Sequence, residues 1–203
     1  MPPENGTLPI EIYQLKATLK DTRPPIWRSL LVPSDFTLSQ LHGVLQVAMG
    51  WEDRHLHEFQ IGDQNFGIPD PEASFMAACT AVSDKRIRLS KVLPGVGAKG
   101  WYLYDFGDEW VLRIVVEKVL APEPGAAYPA CIGGRLNSPP EDCGGTYGYH
   151  NLLEAIKDPE HDQHELLVEW IGEAFDPDQF LPEKINRKLA PAQRRWLKKL
   201  KPV

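Results

Sequence analysis

The first third of the chain switches between strand-like and helix-like patterns. Apolar and polar residues alternate over residues 10–20, a period of two that predicts a strand with one buried face. Residues 26–32 predict a second strand, and the short link between the two favours antiparallel pairing. Thr37 followed by Gln40 is the pattern of a helix capping box, and apolar residues at helical spacing then predict a helix that ends at Gly50.

The middle of the chain contains a strong hairpin pattern. Residues 55–61 alternate and predict a strand, and residues 86–92 predict a short one. Residues 101–106 and 110–120 predict a hairpin with a Gly-Asp turn. The second hairpin strand is apolar on both faces, which predicts a central place in a sheet with helices covering both sides.

The last third of the chain is mainly helical in pattern. Residues 121–149 are rich in proline and glycine, which predicts a segment ordered by turns. Strand patterns before residue 120 and helical patterns after residue 150 predict an α+β fold, with a mostly antiparallel sheet covered by helices and a helical C-terminal region. We expect one domain over residues 1–190 and a basic C-terminal helix or tail over residues 191–203. The predicted helical segments are 151–157, 161–174, 180–189 and 191–201.

Composition argues against several classes of protein. Among the 203 residues, no run approaches the roughly 18 apolar residues of a membrane span, so we expect no membrane partner. The N-terminus lacks the basic and apolar regions of a secretory signal, and the three cysteines are an odd number. We therefore expect reduced thiols and a cytoplasmic location. Cys79, in a weakly patterned segment over residues 68–84, is expected to be a small buried apolar residue.

Charge is unevenly distributed along the chain. There are 22 basic and 28 acidic residues, but residues 184–203 carry eight basic residues and no acidic one. The preceding 183 residues are therefore strongly acidic, and an acidic body repels phosphate backbones. Nucleic acid is thus an expected partner only through residues 184–201, and a solvated or self-docked helix is the alternative.

Two histidines and two cysteines are candidate metal ligands. His55 and His57 lie two residues apart in the predicted strand, so both imidazoles would leave the same face and can share one metal ion. Cys131 and Cys143 can complete a tetrahedral site for zinc or another divalent metal if their loop folds over that strand. Packing of the histidines against their neighbours, without a metal, is the alternative.

Carboxylates surround the turn of the predicted hairpin. Asp105, Asp108 and Glu109 are close enough in sequence to bind a divalent cation or to act in acid–base chemistry. Aspartate is also an ordinary turn residue, because its side chain accepts hydrogen bonds from the nearby backbone. Both interpretations stay open at the level of sequence.

The sequence lacks the motifs of several enzyme classes. It has no phosphate-binding loop, no nucleophile elbow and no zinc-protease helix motif. Aromatic residues are instead candidates for the wall of a groove that binds a peptide or small ligand, and core packing is the alternative. These aromatic residues are Trp51, Phe59, Trp101, Tyr104, Trp110 and Tyr149.

Three motifs follow one another along the chain and suggest a family. They are WEDRHLHEF at residues 51–59, YDFGDEW at residues 104–110, and PPEDCGG at residues 139–145, followed by Tyr149. Together they resemble the plasmid pRiA4b open-reading-frame-three-like family, and the resemblance extends from about Ile12 to Leu189. It implies a compact α+β domain of prokaryotes and mobile elements and points to no particular activity.

Two details limit what the resemblance implies. Some family members carry the label of an insertion-element passenger TnpR protein, but a serine recombinase needs a nucleophilic serine among clustered arginines, and the arginines here are scattered. Members often have a histidine where this chain has Leu112, so any metal ligand at that position is lost here.

The sequence favours a non-catalytic binding or interaction module for a protein, peptide or small ligand. One alternative is a metal-dependent, hydrolase-like enzyme that uses His55, His57, Asp105 and Asp108. The other is a nucleic-acid accessory protein that acts through the basic C-terminus. The candidate pocket comprises Trp51, His55, His57, Tyr104, Asp105, Asp108, Trp110, Asp142, Cys143 and Tyr149.

Overall fold

A single mixed sheet forms the centre of the protein. The computed structural model describes residues 10–69, 81–172 and 175–200, so Cys79 and most of the 68–84 segment lie outside it. Its strands are β1 (Ile12–Leu19), β2 (Trp27–Pro33), β3 (His57–Ile61), β4 (Gln64–Gly67), β5 (Val82–Ser83), β6 (Lys99–Tyr104), β7 (Trp110–Leu120) and β8 (Ala130–Arg135). They follow the order β5-β4-β3-β6-β7-β1-β2-β8 across the sheet, and every neighbouring pair is antiparallel except β4 and β5.

Five α-helices accompany the sheet in the described part of the chain, and the predicted α+β class is confirmed. Among the described residues, no helix is both long enough and apolar enough to cross a membrane. A short 3-10 helix at Asp84–Arg86 follows β5. The α-helices are α1 (Leu38–Met49), α2 (Leu89–Val92), α3 (Gly145–Ala155), α4 (His164–Ile171) and α5 (Pro182–Leu200).

Helix α1 begins and ends where the sequence predicts. The Thr37 hydroxyl accepts a hydrogen bond from the Gln40 amide, and the Gln40 side chain accepts one from the Thr37 amide, which completes the capping box. Gly50 closes the helix in the left-handed conformation with φ 76°, which costs glycine little because it has no Cβ.

Among the described residues, the central strand β7 is covered on one face only. Leu112, Ile114 and Val116 are buried, as the apolar pattern predicts, whereas Arg113 and Glu117 on the opposite face are exposed. The prediction of helices on both sides of this strand is therefore wrong. Valines on the open face are half-buried by neighbouring side chains within the sheet, which explains an apolar pattern without a second layer of helices.

Several other elements differ from the sequence prediction. Residues 86–92 form the end of the 3-10 helix and then α2, because Leu89 and Leu93 both turn into the core. The segment 121–149 contains β8, whose adjacent glycines hide its strand pattern. Helix α3 starts six residues before the predicted 151–157 helix, and α4 is shorter than the predicted 161–174 helix.

The C-terminal helix α5 covers the outer edge of the sheet. The Asn186 side chain donates to the carbonyl of Cys131 and accepts from its amide, both at 2.8 Å, so it satisfies an exposed backbone edge of β8. Leu189 and Trp196 are buried beneath the helix. The helix is continuous through Pro191, so the predicted segments 180–189 and 191–201 largely merge into one element.

Candidate metal-binding site

The three sequence motifs meet at one end of the sheet. The Trp51 ring stacks on the Tyr104 ring with centroids 5.0 Å apart, which joins the first motif to the second. The Trp51 indole N–H donates to the Pro139 carbonyl at 3.1 Å, which joins the first motif to the third. An aromatic scaffold thus holds the polar residues of all three motifs close together.

An imidazole and three carboxylates form the centre of this cluster. His55 Nε2 lies 2.9 Å from Asp142 Oδ1 and 3.6 Å from Asp105 Oδ2. Donor atoms of His55, Glu141 and Asp142 all lie within 4.8 Å of one another. Nitrogen and oxygen donors at such separations can converge on a single divalent ion.

Glu141 is the most constrained member of the cluster. Its Oε1 accepts hydrogen bonds from the Tyr104 hydroxyl at 2.5 Å and from the Glu52 amide at 2.7 Å. Its side chain is only 8% exposed, and in the described part of the chain its other oxygen, Oε2, is buried without a hydrogen-bond partner. A buried carboxylate oxygen without a partner is costly, so this atom is poised for a cation.

Arg54 is the only arginine or lysine in ion-pair contact with the cluster among the described residues. Its Nε lies 3.8 Å from Glu141 Oε2, and its Nη1 lies 3.9 Å from Asp142 Oδ2. Its Nη2 pairs with Glu52 instead. These longer contacts with Glu141 and Asp142 offset only part of the negative charge of the cluster.

Turns position the carboxylates of the site. Asp105 and Asp142 both adopt left-handed backbone conformations with φ 58°, which aspartate tolerates better than most residues. Asp105 Oδ1 accepts a hydrogen bond from the Gly107 amide at 2.9 Å, so one of its oxygens closes the turn. Asp108 Oδ2 accepts from the Gly144 amide at 3.2 Å, so Asp108 ties the hairpin to the third motif.

His57 lies in a different environment from His55. The prediction that both histidines leave one face of a strand is wrong, because β3 begins at His57 and His55 belongs to the preceding loop. His57 Nε2 pairs with buried Asp84 at 3.0 Å, and its ring stacks on that of His42.

Neither candidate cysteine contributes a thiol to the cluster. Cys131 is buried in β8, where burial raises the pKa of its thiol. Burial, reinforced by the carboxylates of Asp108 and Asp142, raises the pKa of Cys143 to about 12. Neither thiol sulfur is among the donor atoms of His55, Glu141 and Asp142 that lie close together.

The candidate aromatic residues pack mainly into the core. Trp51, Phe59, Tyr104, Trp110 and Tyr149 are all buried. Their rings therefore belong to the core beneath the site. Of these five residues, only Tyr104 bonds directly to a carboxylate of the cluster, through its hydroxyl.

Two further candidate positions lie apart from the cluster. Trp101 is 40% exposed, because it projects from the opposite face of β6 to its buried neighbour Tyr102. Leu112, where family members often have histidine, is fully buried in β7.

Sequence reasoning missed Glu141 as a site residue and His42 as the buried partner of His57. Glu141 stands within the third motif, beside Asp142, and that acidic pair was the available signal. His42 lies on the apolar stripe of α1, four residues after Leu38, and a polar residue at such a position must find buried partners.

Comparison with known proteins places the chain in a family. The "Uncharacterized protein y4hQ" of Sinorhizobium fredii is 36% identical over 190 residues, which cover 93% of this chain and 95% of the relative. A crystal structure of the protein of unknown function MM3350 from Methanosarcina mazei is also 36% identical, with a TM-score of 0.77, and the match covers 87% of this chain and 97% of that one. The sequence profile of the plasmid pRiA4b ORF-3-like protein family matches residues 11–184, and the chain therefore belongs to this family.

Proposed function

We propose that the protein is a binding module whose ligand is a divalent metal ion held by His55, Glu141 and Asp142, with Asp105 as a further oxygen donor. The observation that carries the proposal is the Oε2 atom of Glu141, which is buried without a hydrogen bond beside an imidazole and a second carboxylate, with only the longer 3.8 Å contact to Arg54. A bound cation would give that oxygen a partner and would offset the negative charge of the cluster.

The donor set favours a transition metal ion. One imidazole with carboxylates suits zinc or manganese, whereas magnesium and calcium prefer oxygen ligands alone. His55 Nε2 and Asp142 Oδ1 lie at hydrogen-bond distance, 2.9 Å apart, and a bound metal ion would replace this hydrogen bond. Tyr104 would not bind the ion itself, but its hydroxyl would orient the Glu141 carboxylate.

Calorimetric titration of the EDTA-treated full-length protein with zinc, manganese and magnesium chlorides tests the proposal. We expect about one zinc or manganese ion per chain, with magnesium binding more weakly. Elemental analysis after dialysis provides an independent measure of stoichiometry. No heat of binding with any of these ions up to about 1 mM would contradict the proposal.

Three variants distinguish metal binding at this cluster from nonspecific binding to surface carboxylates. Glu141→Gln and His55→Gln each remove one donor and should weaken binding by about tenfold or more. His150→Gln changes an exposed histidine on α3 and should bind like the wild type. Equal binding by all three variants would show that surface carboxylates, not this cluster, take up the ion.

A metal-dependent hydrolase is the second candidate, and the solvent side of the site favours it. The Asp142 side chain is 52% exposed, which leaves room for a water molecule on a bound ion. A cavity of about 280 Å³ adjoins Asp142 and is lined mainly by apolar residues of α3 and α4, together with Asn151. Hydrolysis of p-nitrophenyl acetate or bis(p-nitrophenyl) phosphate by zinc-loaded protein, lost in His55→Gln, would support this candidate.

A further inference from the structure

A groove runs along the contact between α1 and α5, and none of the described residues that line it belongs to the three motifs. It contains two neighbouring cavities of about 420 and 210 Å³, and Val47 and Lys188 line both. The larger cavity is mostly apolar, with walls formed by Phe36, Val44, Leu189 and Trp196. Together the two cavities offer enough space for a small organic ligand.

The charge around this groove has a single sign. Lys184, Lys188 and Arg195 lie four and seven residues apart on α5, so they share one flank of the helix. The first two line the smaller cavity together with Arg28, and Lys188 and Arg195 line the larger one. Among the described residues that line the two cavities there is no aspartate or glutamate, in a chain where acidic residues outnumber basic ones.

These cations lack acidic partners in the described part of the chain. Lys184, Lys188 and Arg195 are exposed, and no carboxylate lies within ion-pair distance of them. Arg28 is only 3% exposed and donates to three backbone carbonyls and a serine hydroxyl, all of them neutral. A buried guanidinium without a carboxylate leaves a positive field that an anionic ligand can offset.

We propose that the α1–α5 groove binds a small amphipathic anion. Its carboxylate, sulfonate or phosphate group would lie between Arg28, Lys184 and Lys188. Its aliphatic or aromatic body would extend along α1 toward Val44 and Trp196, in the larger cavity. Gly43 opens this part of the groove, because a Cβ built there would meet no atom within 4 Å. The groove is independent of the metal site proposed above.

Fluorescence of 8-anilinonaphthalene-1-sulfonate, a sulfonate with an aromatic body, provides the first test on the full-length protein. We expect saturable enhancement that decanoate reverses and decanol reverses much less, since decanol has the same chain length without the charge. Decanol and decanoate competing equally would overturn the requirement for an anion. Absence of saturable enhancement would overturn the proposal.

Charge-removing pairs on α5 distinguish the groove from a generally cationic helix. Lys184→Gln with Lys188→Gln should weaken probe binding about tenfold. Arg194→Gln with Lys198→Gln removes the same charge from exposed positions that do not line either cavity, and should leave affinity within about twofold. Equal losses in the two pairs would overturn the groove and favour a polyanion, such as nucleic acid, spread over the helix surface.

Gly43→Leu fills the larger cavity without changing any charge. Helix propensity favours leucine over glycine, so the fold should be retained, and thermal unfolding checks this. We expect loss of probe binding with an unchanged or higher unfolding temperature. Wild-type affinity in this variant would place the probe outside the groove and would overturn the proposal.

Discussion

The imidazole rings of His42 and His57 are stacked in the protein interior, with centroids 3.6 Å apart and an angle of 9° between their planes. Each ring also has a carboxylate partner, Asp53 for His42 at 2.8 Å and Asp84 for His57 at 3.0 Å. The Tyr102 hydroxyl completes the network through a 2.8 Å hydrogen bond with His42 Nδ1. Protonation of both rings would place two like charges face to face in a buried site.

Buried His42 should make the protein less stable in mild acid. Burial lowers the pKa of His42, the nearby His57 lowers it further, and Asp53 and Asp84 oppose these effects. The unfolded chain therefore takes up a proton near pH 6.5 while the folded protein does not, so stability is full above that pH and falls as the pH drops below it. Urea unfolding at intervals from pH 8 to pH 5.5 measures this slope.

His42→Gln isolates the contribution of this ring. The variant should lose part of the acid sensitivity, although its stability at pH 8 will be lower because buried hydrogen bonds change. His150→Gln, at an exposed position, should keep the wild-type slope. Identical pH slopes in the wild type and His42→Gln would rule out His42 as the source.

Tyr104 should orient Glu141, one of the proposed metal ligands, through a hydrogen bond. Its hydroxyl donates to Glu141 Oε1 and accepts a hydrogen bond from the Arg54 amide at 3.0 Å. Tyr104→Phe should therefore weaken zinc binding about 10- to 100-fold, since the carboxylate loses its orienting donor. Calorimetric titration measures the affinity, and urea unfolding measures the accompanying loss of stability.

Tyr102→Phe is the matched control for this effect. Tyr102 is the neighbouring buried tyrosine of β6, but its hydroxyl bonds to His42 and Gln46 and makes no contact with the cluster. We expect a stability loss of about 1–3 kcal/mol from either substitution, because each leaves buried partners unsatisfied. Only Tyr104→Phe should change metal affinity, and a similar affinity loss in both variants would point to general destabilisation.

Local signals made much of the fold predictable, while long-range contacts decided the site. The capping box of Thr37 and the end of α1 at Gly50 depend on residues within one helix, and both were predictable. The environments of His55 and His57 depend on where β3 begins and on Asp84 and Asp142, which are distant in sequence. Tertiary packing determines where a strand begins and which distant residues its side chains meet. The pattern within one segment of the sequence does not contain this information.

Close backbone packing at Gly148 should make this position intolerant of any side chain. A Cβ at Gly148 would lie 1.8 Å from the carbonyl oxygen of Cys143, in the segment that carries Asp142. Gly148→Ala should therefore displace the start of α3, lower the unfolding temperature by several degrees and weaken metal binding.

Gly43→Ala provides the opposite case within α1. Nothing lies within 4 Å of a Cβ built there, so alanine should stabilise the helix by about 0.5–1 kcal/mol. Differential scanning calorimetry compares the two variants directly. If Gly148→Ala were as stable as the wild type, the tight approach of α3 to the Cys143 carbonyl would be disproved.

Arg28, in β2, should contribute strongly to stability, because its hydrogen bonds connect β2 to α1 and β8. Its guanidinium donates to the carbonyls of Ala48 at 2.9 Å and Arg135 at 3.1 Å and to the Ser138 hydroxyl at 2.8 Å. Burial lowers its pKa to about 10, so it remains charged at neutral pH. Lysine cannot reproduce this fork of donors, and Arg28→Lys should cost about 2–4 kcal/mol in the free energy of unfolding. Arg113→Lys, on the exposed face of β7, should leave the urea midpoint unchanged, and equal midpoints for the two variants would mean that Arg28 contributes only its charge.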